Sequence, residues 1–191
     1  VQMVLTGEGA DEFLGGYPKH VFERYVGPYQ VLPGFVRHGL VEPLVGALPY
    51  RFRRAKTAIV NLGLERFEER MPRWFGALSS QERDAMIALR PSAQVPPGMQ
   101  FDTPPANSPL RRILYFDQTS WLPDNLLERG DRMTMAASLE ARMPFMDHEL
   151  VSLAAALTAD QLLGGGPKRM LREAFADDVP GWVFHRRKMG F

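Results

Sequence analysis

No cysteine occurs in the 191 residues. Disulfides, thiolate nucleophiles and cysteine-based metal sites are therefore excluded, which suits a cytoplasmic protein. Histidine is scarce too. His20, His38, His148 and His185 lie far apart, so a histidine-rich metal cluster is not expected. No run of about 18 apolar residues is present, so no membrane-spanning helix is expected, and no charged-then-apolar targeting stretch stands at the start. Neither sign of charge dominates. Lys plus Arg total 23 and Asp plus Glu 22, a net charge of +1, which argues against a dedicated nucleic-acid or anionic-membrane surface. Two nucleotide signatures are missing as well: Gly-x-x-x-x-Gly-Lys-Ser/Thr, and Gly-x-Gly-x-x-Gly after a predicted strand. Thr6, Ser79, Ser92 and Ser138 sit in no nucleophile elbow.

What is there begins at the N-terminus. Val1 to Leu5 is an apolar run long enough for one strand and too short for a helix. It leads into Thr6-Gly-Glu-Gly-Ala-Asp-Glu12 and Gly15-Gly16-Tyr17. Gly7 and Gly9 permit a tight turn, and Glu8, Asp11 and Glu12 crowd three carboxylates into five residues. The stretch reads as a buried strand delivering an acidic loop to a sheet edge, the place where open α/β sheets bind ligands. An ordinary surface turn fits these residues equally well.

The remainder reads as helix and loop, and at 45% hydrophobic content it can bury a sizeable core. Pro28, Pro33 and Pro43 predict breaks or kinks. Arg51, Arg53, Arg54 and Lys56 form a basic group whose plainest reading is a solvated helix face. Residues 91–109 are proline-rich and longer than a usual connection, so they are expected to be a mobile segment or a join between subdomains. Leu110, Ile113, Leu114, Phe116, Asp117 and Trp121 suit a buried helix ended by Pro123. Met133 to Ser138 is built of small and soft residues that permit close packing. Asp147 is a plausible N-cap for the helix that follows, and Pro167 opens another. Little after residue 12 looks like strand, although one strand cannot satisfy its own edges.

Three groups could carry chemistry. Glu8 and Asp11 are close enough in sequence to share a site, and Mg²⁺ needs only one or two carboxylates beside phosphate oxygens. Glu140 stands in a segment poor in polar residues, so a buried contact with Arg or Lys is expected; a structural salt bridge explains it as well. Lys188 could hold a phosphoryl group, or belong to a plain basic terminus with Arg186 and Arg187.

Together the segments Leu5-Thr-Gly-Glu-Gly-Ala-Asp-Glu-Phe-Leu-Gly-Gly-Tyr17, Leu122-Pro-Asp-Asn-Leu-Leu-Glu-Arg-Gly-Asp-Arg132, Met135-Ala-Ala-Ser-Leu-Glu-Ala-Arg-Met-Pro-Phe-Met-Asp147 and Arg187-Lys-Met-Gly-Phe191 resemble the synthetase domain of the glutamine-hydrolysing asparagine synthetase family. Their order covers essentially the whole chain. Thr6 and Met146 stand where that family more often has Ser and Leu. The resemblance implies an α/β fold of the adenine-nucleotide α-hydrolase, pyrophosphatase-loop type. It implies ATP and Mg²⁺ as cofactors and a ligase that adenylates the side-chain carboxylate of aspartate, releases pyrophosphate, and lets ammonia attack the acyl-adenylate to give asparagine and AMP. Ammonia would come from an upstream glutaminase domain with a catalytic cysteine. A homodimer is compatible with it.

Residue by residue, the resemblance places Asp11 on the metal-binding aspartate. Glu8 falls beside the acyl-adenylate and ammonia, Glu140 falls on the glutamate supporting the catalytic cluster, and Lys188 on the lysine that contacts phosphate and stabilises the transition state. Gly7, Gly9 and Lys188 fall against the nucleotide. Asp131 and Arg132 match as structural support. The family's Ser-Gly-Gly-x-Asp-Ser loop does not occur in residues 1–191. The chain is therefore expected to be the later part of a longer synthetase domain, inactive alone. Two other readings stay open: a β-lactam synthetase-like relative, which would carry Tyr at the position of Glu8, and a non-catalytic helical interaction module.

Overall fold

The computed structural model describes residues 2–75, 78, 80–88 and 108–186. The protein is mostly helical, with one short two-stranded sheet. In chain order, strand β1 (Met3–Leu5) is followed by α1 (Ala10–Leu14), α2 (Pro18–Glu23), α3 (Val26–Gln30) and α4 (Gly34–Val36). A π-wound turn over Arg37–Val41 joins α4 to α5 (Glu42–Gly46). Next come α6 (Arg53–Gly63), α7 (Phe67–Trp74), α8 (Ser80–Ala88) and α9 (Pro109–Phe116). A π-wound segment, Asp117–Leu127, continues from α9 and leads to α10 (Glu128–Ala136) and strand β2 (Glu140–Arg142). Helices α11 (His148–Ala156), α12 (Ala159–Leu163), α13 (Arg169–Ala174) and α14 (Gly181–His185) complete it.

The chain divides into two compact units, one of residues 1–21 and 117–191 and the other of residues 22–116. In the first, β1 and β2 pair in parallel with Met3 opposite Glu140 and Leu5 opposite Arg142. Thr6 N–H donates to the Arg142 carbonyl at 2.8 Å, which extends the ladder to the start of the acidic loop. Both strands thus run toward the same edge, and the acidic loop leaves the carboxyl end of β1, where ligands of parallel sheets bind. The expected burial of this strand is not found. Met3 and Leu5 are 52% and 71% exposed, because only one partner strand is present and nothing among the described residues covers that face. The partner itself is unexpected. A three-residue strand is too short to show a two-residue period.

The apolar core of this unit comes from Ala10, Phe13, Leu14, Leu122, Ala154, Leu162 and Leu163. Asp147 caps α11 as expected, accepting from the backbone N–H of Glu149 at 2.9 Å and Leu150 at 3.3 Å. Thr158 and Gln161 close a reciprocal capping box on α12. Pro123 does not end its helix but lies inside the π-wound segment. In an α-helix its ring would meet the carbonyl four residues back. The i→i+5 winding does not use that bond. Met133 and Met135 are exposed rather than closely packed.

In the second unit Met71, Leu110, Ile113 and Leu114 are fully buried, with Phe67 and Phe116 beside them in burial, so the expected apolar face of α9 is present. Val26, Tyr29 and Leu62 form a cluster flanked by Val41 and Ile59. Pro28 lies in the first turn of α3, where the missing N–H has no intrahelical partner anyway, and Pro43 follows directly on the π-wound turn Arg37–Val41 in a continuous helical run, so neither ends its helix. Glu23, wholly buried, accepts from Arg70 Nε at 3.1 Å and Nη2 at 2.7 Å and from Trp74 Nε1 at 3.3 Å. The proline-rich stretch falls at residues 91–107 outside the described residues.

Candidate active site

The three acids of the loop separate. Glu8, half-buried, accepts a bond from Thr6 Oγ1 at 3.3 Å. Its Oε1 lies so close to Gly130 of α10 that a Cβ there would approach within 2.9 Å. Gly9, the residue before α1, adopts φ 90°, a left-handed conformation that glycine takes without strain. A side chain there would also meet Met146 and Phe13 at 3.0–3.3 Å. Gly7 is exposed, with open space where its side chain would be.

Asp11 leads the first turn of α1 and is 18% exposed in its side chain. Its Oδ1 pairs with Lys168 Nζ at 2.7 Å. The chain folds back beneath it: Gly15 caps α1 at φ 70°, and Gly16 N–H donates to the Asp11 carbonyl at 2.9 Å. A Cβ on Gly16 would stand 1.7 Å from Asp11 Oδ1 and 2.5 Å from Lys168 Cε. Gly16 is therefore a cradle that only a glycine leaves open. Lys168, just ahead of α13, holds φ 53°, a conformation that is unusual for a residue with a Cβ. Lysine in that conformation carries about 1–2 kcal/mol of strain, a common mark of functional positions.

Glu12 turns inward and is 1% exposed. Tyr17 Oη donates to its Oε1 at 2.5 Å, while Oε2 has no hydrogen-bond partner among the described residues. Burial pushes its carboxyl above the ordinary range; the Tyr17 bond works against that, and the nearby Asp11 and Asp117 charges add to it. Burial, followed by the bond to Glu12, likewise raises the Tyr17 phenol. Lys19 is buried as well, and burial lowers its ammonium while Asp117 opposes the shift.

Glu140 departs from expectation. Its side chain is 58% exposed, and its ion partner is Arg142, two residues along the same strand. It lies opposite Met3, at the start of the strands, whereas Glu8 and Asp11 follow their ends. Among the described residues the sheet has two strands, and nothing there covers the outer face at Glu140. Asp131 and Arg132 lie on α10 and are exposed, Arg132 paired with Glu128. Lys188 lies outside the described residues. Two partners were missed in the sequence. Lys168 carries no local signal beyond its place after Gly164-Gly-Gly-Pro167. The cluster around Asp117 did leave one: a lone Asp on an otherwise apolar helix face requires a buried donor.

The donor set suits a hard divalent cation only in part of its coordination. Among the described residues no three His, Cys, Asp or Glu side chains group as a metal cage. One half-buried carboxylate beside a glycine cradle matches the way Mg²⁺ binds through one or two carboxylates plus substrate phosphates. No helix of the described residues is long and apolar enough to cross a membrane.

The putative glutamine-hydrolyzing asparagine synthetase of Mycobacterium tuberculosis (strain ATCC 25618 / H37Rv) is 32% identical over 199 residues, covering 100% of this chain and 29% of the relative. Glutamine-hydrolyzing asparagine synthetase 1 of Bacillus subtilis (strain 168) is 27% identical over 198 residues, again covering 100% of this chain and 30% of the relative. Asparagine synthetase 3 of the same organism is 38% identical over 79 residues, 41% of this chain and 13% of the relative. The chain thus spans less than a third of the length of these relatives. No solved structure matches it. The asparagine synthase family model matches residues 1–191, and the chain belongs to that family.

Proposed function

We propose that this chain serves ATP-dependent amide formation, as the later part of a synthetase domain of the adenine-nucleotide α-hydrolase type. The observation that carries the reading is the Asp11 carboxylate, held in the Gly16 cradle against Lys168 at the carboxyl edge of two parallel strands, in a chain of the asparagine synthase family. The side-chain carboxylate of aspartate attacks the α-phosphorus of ATP and pyrophosphate leaves. Ammonia released from glutamine by a separate glutaminase region then attacks the acyl carbon, forming the C–N bond of asparagine as AMP departs. The compartment is the cytoplasm.

Asp11 is the residue that would hold Mg²⁺, which when bound neutralises phosphate charge. Lys168 Nζ, 2.7 Å from Asp11 Oδ1, balances the charge of that carboxylate. Glu8 takes the place beside the acyl-adenylate, where its carboxylate can receive a proton from the attacking ammonia. Gly7, beside it in sequence, has open space where a side chain would be. Gly9 brings the backbone close to the nucleotide, and Lys188 supplies a phosphate-binding cation. Positioning and charge stabilisation provide most of the acceleration in such a transfer.

The test is ATP–pyrophosphate exchange and AMP release by the intact protein across a panel of carboxylates. Aspartate-dependent exchange that is lost in Asp11→Asn is the expected result. Exchange with another carboxylate only would move the protein to a relative acting on that acid. Nucleotide binding indifferent to Asp11 and Glu140 would leave a non-catalytic module.

A further inference from the structure

Beneath the Asp11 loop lies a charge cluster for which the proposed chemistry has no use. Asp117, 0% exposed, accepts from Lys19 Nζ at 2.5 Å through Oδ1 and meets His20 Nε2 at 2.7 Å through Oδ2. The Tyr17 backbone N–H donates to His20 Nδ1 at 3.3 Å. That nitrogen is therefore the acceptor, which leaves the ring proton on Nε2 to be donated to Asp117. Lys19 Nζ also stands 5.1 Å from the ring centre of Tyr17 and 6.0 Å from that of Trp121. Gln118, next to Asp117, donates to the Glu12 carbonyl at 3.1 Å.

Two adjacent residues at the start of the π-wound segment thus grip both sides of one turn. Asp117 holds the Tyr17 N–H through the His20 ring, and Gln118 holds the Glu12 carbonyl. Between those anchors are Gly15 and Gly16, and Gly16 is the residue packed against Asp11 Oδ1. Charge burial is a poor way to gain stability, since well-packed apolar residues commonly do as well. Its advantage over apolar packing is direction: hydrogen bonds fix where a backbone atom lies, whereas apolar contact is non-directional.

We propose that Lys19, His20 and Asp117 are positioning residues that hold the Gly15–Tyr17 turn against Asp11 and so set where the Asp11 carboxylate points. This rests on the reading of Asp11 as the cation-binding residue. The triad acts through the turn and touches no substrate.

The test uses the intact protein with Asp11→Asn, Asp117→Asn and the double variant Lys19→Met/Asp117→Leu, which removes both buried charges together. Three quantities are read: thermal midpoint, hydrogen exchange at the Gly16 and Tyr17 amides, and binding of Mn²⁺ alone and as its ATP complex by electron paramagnetic resonance. Asp117→Asn is expected to weaken Mn²⁺ binding by about tenfold, the low end of the effect of losing a direct outer partner of a metal ligand because Asp117 acts through the turn, and to speed exchange at both amides. The double variant, which leaves the buried His20 Nε2–H without its acceptor, is expected to regain part of the thermal midpoint but none of the Mn²⁺ affinity. Recovery of both would show a purely structural ion pair and overturn the proposal, as would wild-type Mn²⁺ affinity in a folded Asp117→Asn. Should the single variant not fold, the double variant decides. Asp11→Asn separates the two claims. If it binds Mn²⁺ like wild type, the cation reading of Asp11 falls and takes the triad's role with it. If it loses binding and the triad variants do not, only the triad falls. Neither arm depends on aspartate being the substrate.

Discussion

Replacing Gly16 by alanine exchanges one hydrogen for a methyl group, and the surroundings of that carbon set the outcome. It would lie 1.7 Å from Asp11 Oδ1 and 2.5 Å from Lys168 Cε. Real Cβ contacts essentially never fall below 3.0 Å, so the carboxylate oxygen must retreat by 1.3 Å, the difference between 3.0 and 1.7. The backbone has little freedom to give way. Gly16 N–H is tied to the Asp11 carbonyl, and the next residue is tied to His20. Both crowding atoms are side-chain ends, so the strain is relieved by swinging Asp11 away from Lys168. Stability then falls toward the low end of the overpacking range, about 1–2 kcal/mol. That is a drop of several degrees in thermal midpoint for a domain of this size. Function falls further, because misplacing a positioned group by about 1 Å can cost about a hundredfold in rate. The assay is a thermal melt and aspartate-dependent ATP–pyrophosphate exchange on the intact protein. The control is Gly27→Ala, a helical glycine in the other unit with nothing within 4 Å of its Cβ position, expected to stabilise by up to about 1 kcal/mol. Gly16→Ala with exchange within twofold of wild type would refute the argument that this glycine cradles a functional carboxylate.

Glu23→Ala strands the Arg70 guanidinium in the interior and is expected to cost about 3–5 kcal/mol in denaturant unfolding. Glu128→Ala, which breaks the exposed pair with Arg132, should stay within about 1 kcal/mol; equal losses in the two variants would contradict the burial argument. Glu12 gives a pH signature. Its folded pKa lies above the ordinary 4.5 because burial disfavours the charge. The folded state therefore keeps a proton that the unfolded state releases, and stability falls as pH rises through that interval. The Glu12 contribution is fully present below about 4.5 and lost above its folded pKa. Glu12→Gln removes the slope, so its thermal midpoint should gain on wild type as pH rises above 4.5. A constant difference between the two from pH 4 to 8 would show that Glu12 is not the group responsible.

Local signals were legible where the chemistry of a few neighbouring residues decides the outcome. Asp147 before an apolar helix, the alternation of Leu110, Ile113 and Leu114, and an apolar run ending in Gly-Glu-Gly are of this kind. What could not be read depends on partners far along the chain. The strand at Glu140–Arg142 exists because β1 offers it a ladder, and no three-residue window announces that. Glu140 was expected in the interior because its neighbours are apolar, but a two-stranded sheet leaves its outer face to solvent. Pro28, Pro43 and Pro123 were read as breaks from the α-helical hydrogen-bond pattern. Pro28 sits where no intrahelical N–H is needed, Pro43 directly follows a π-wound turn, and Pro123 lies inside a π-wound segment. The division of the chain likewise falls between residues 21 and 22 and between 116 and 117, inside helical stretches, and not at the proline-rich segment.

The same reasoning explains why three acids in five residues do not make one acidic site. Mutual repulsion would raise their pKa values if they shared a volume. Instead each is matched to a partner that sequence distance hides: Glu8 to the gap at Gly130, Asp11 to Lys168, Glu12 to Tyr17 above the Lys19–Asp117 pair. Within α1, adjacent residues point about 100° apart, so Asp11 and Glu12 diverge as soon as the helix starts, one toward the cradle and one toward the interior. The buried acid then anchors the turn whose next glycine holds the half-buried one. An Ala at position 12 would leave Tyr17 Oη without its acceptor and loosen that turn from below, while an Ala at 16 would crowd it from above. The first change reaches Asp11 through the turn and the second by direct contact with its carboxylate, which is why the functional reading of this loop rests on its supports as much as on its carboxylates.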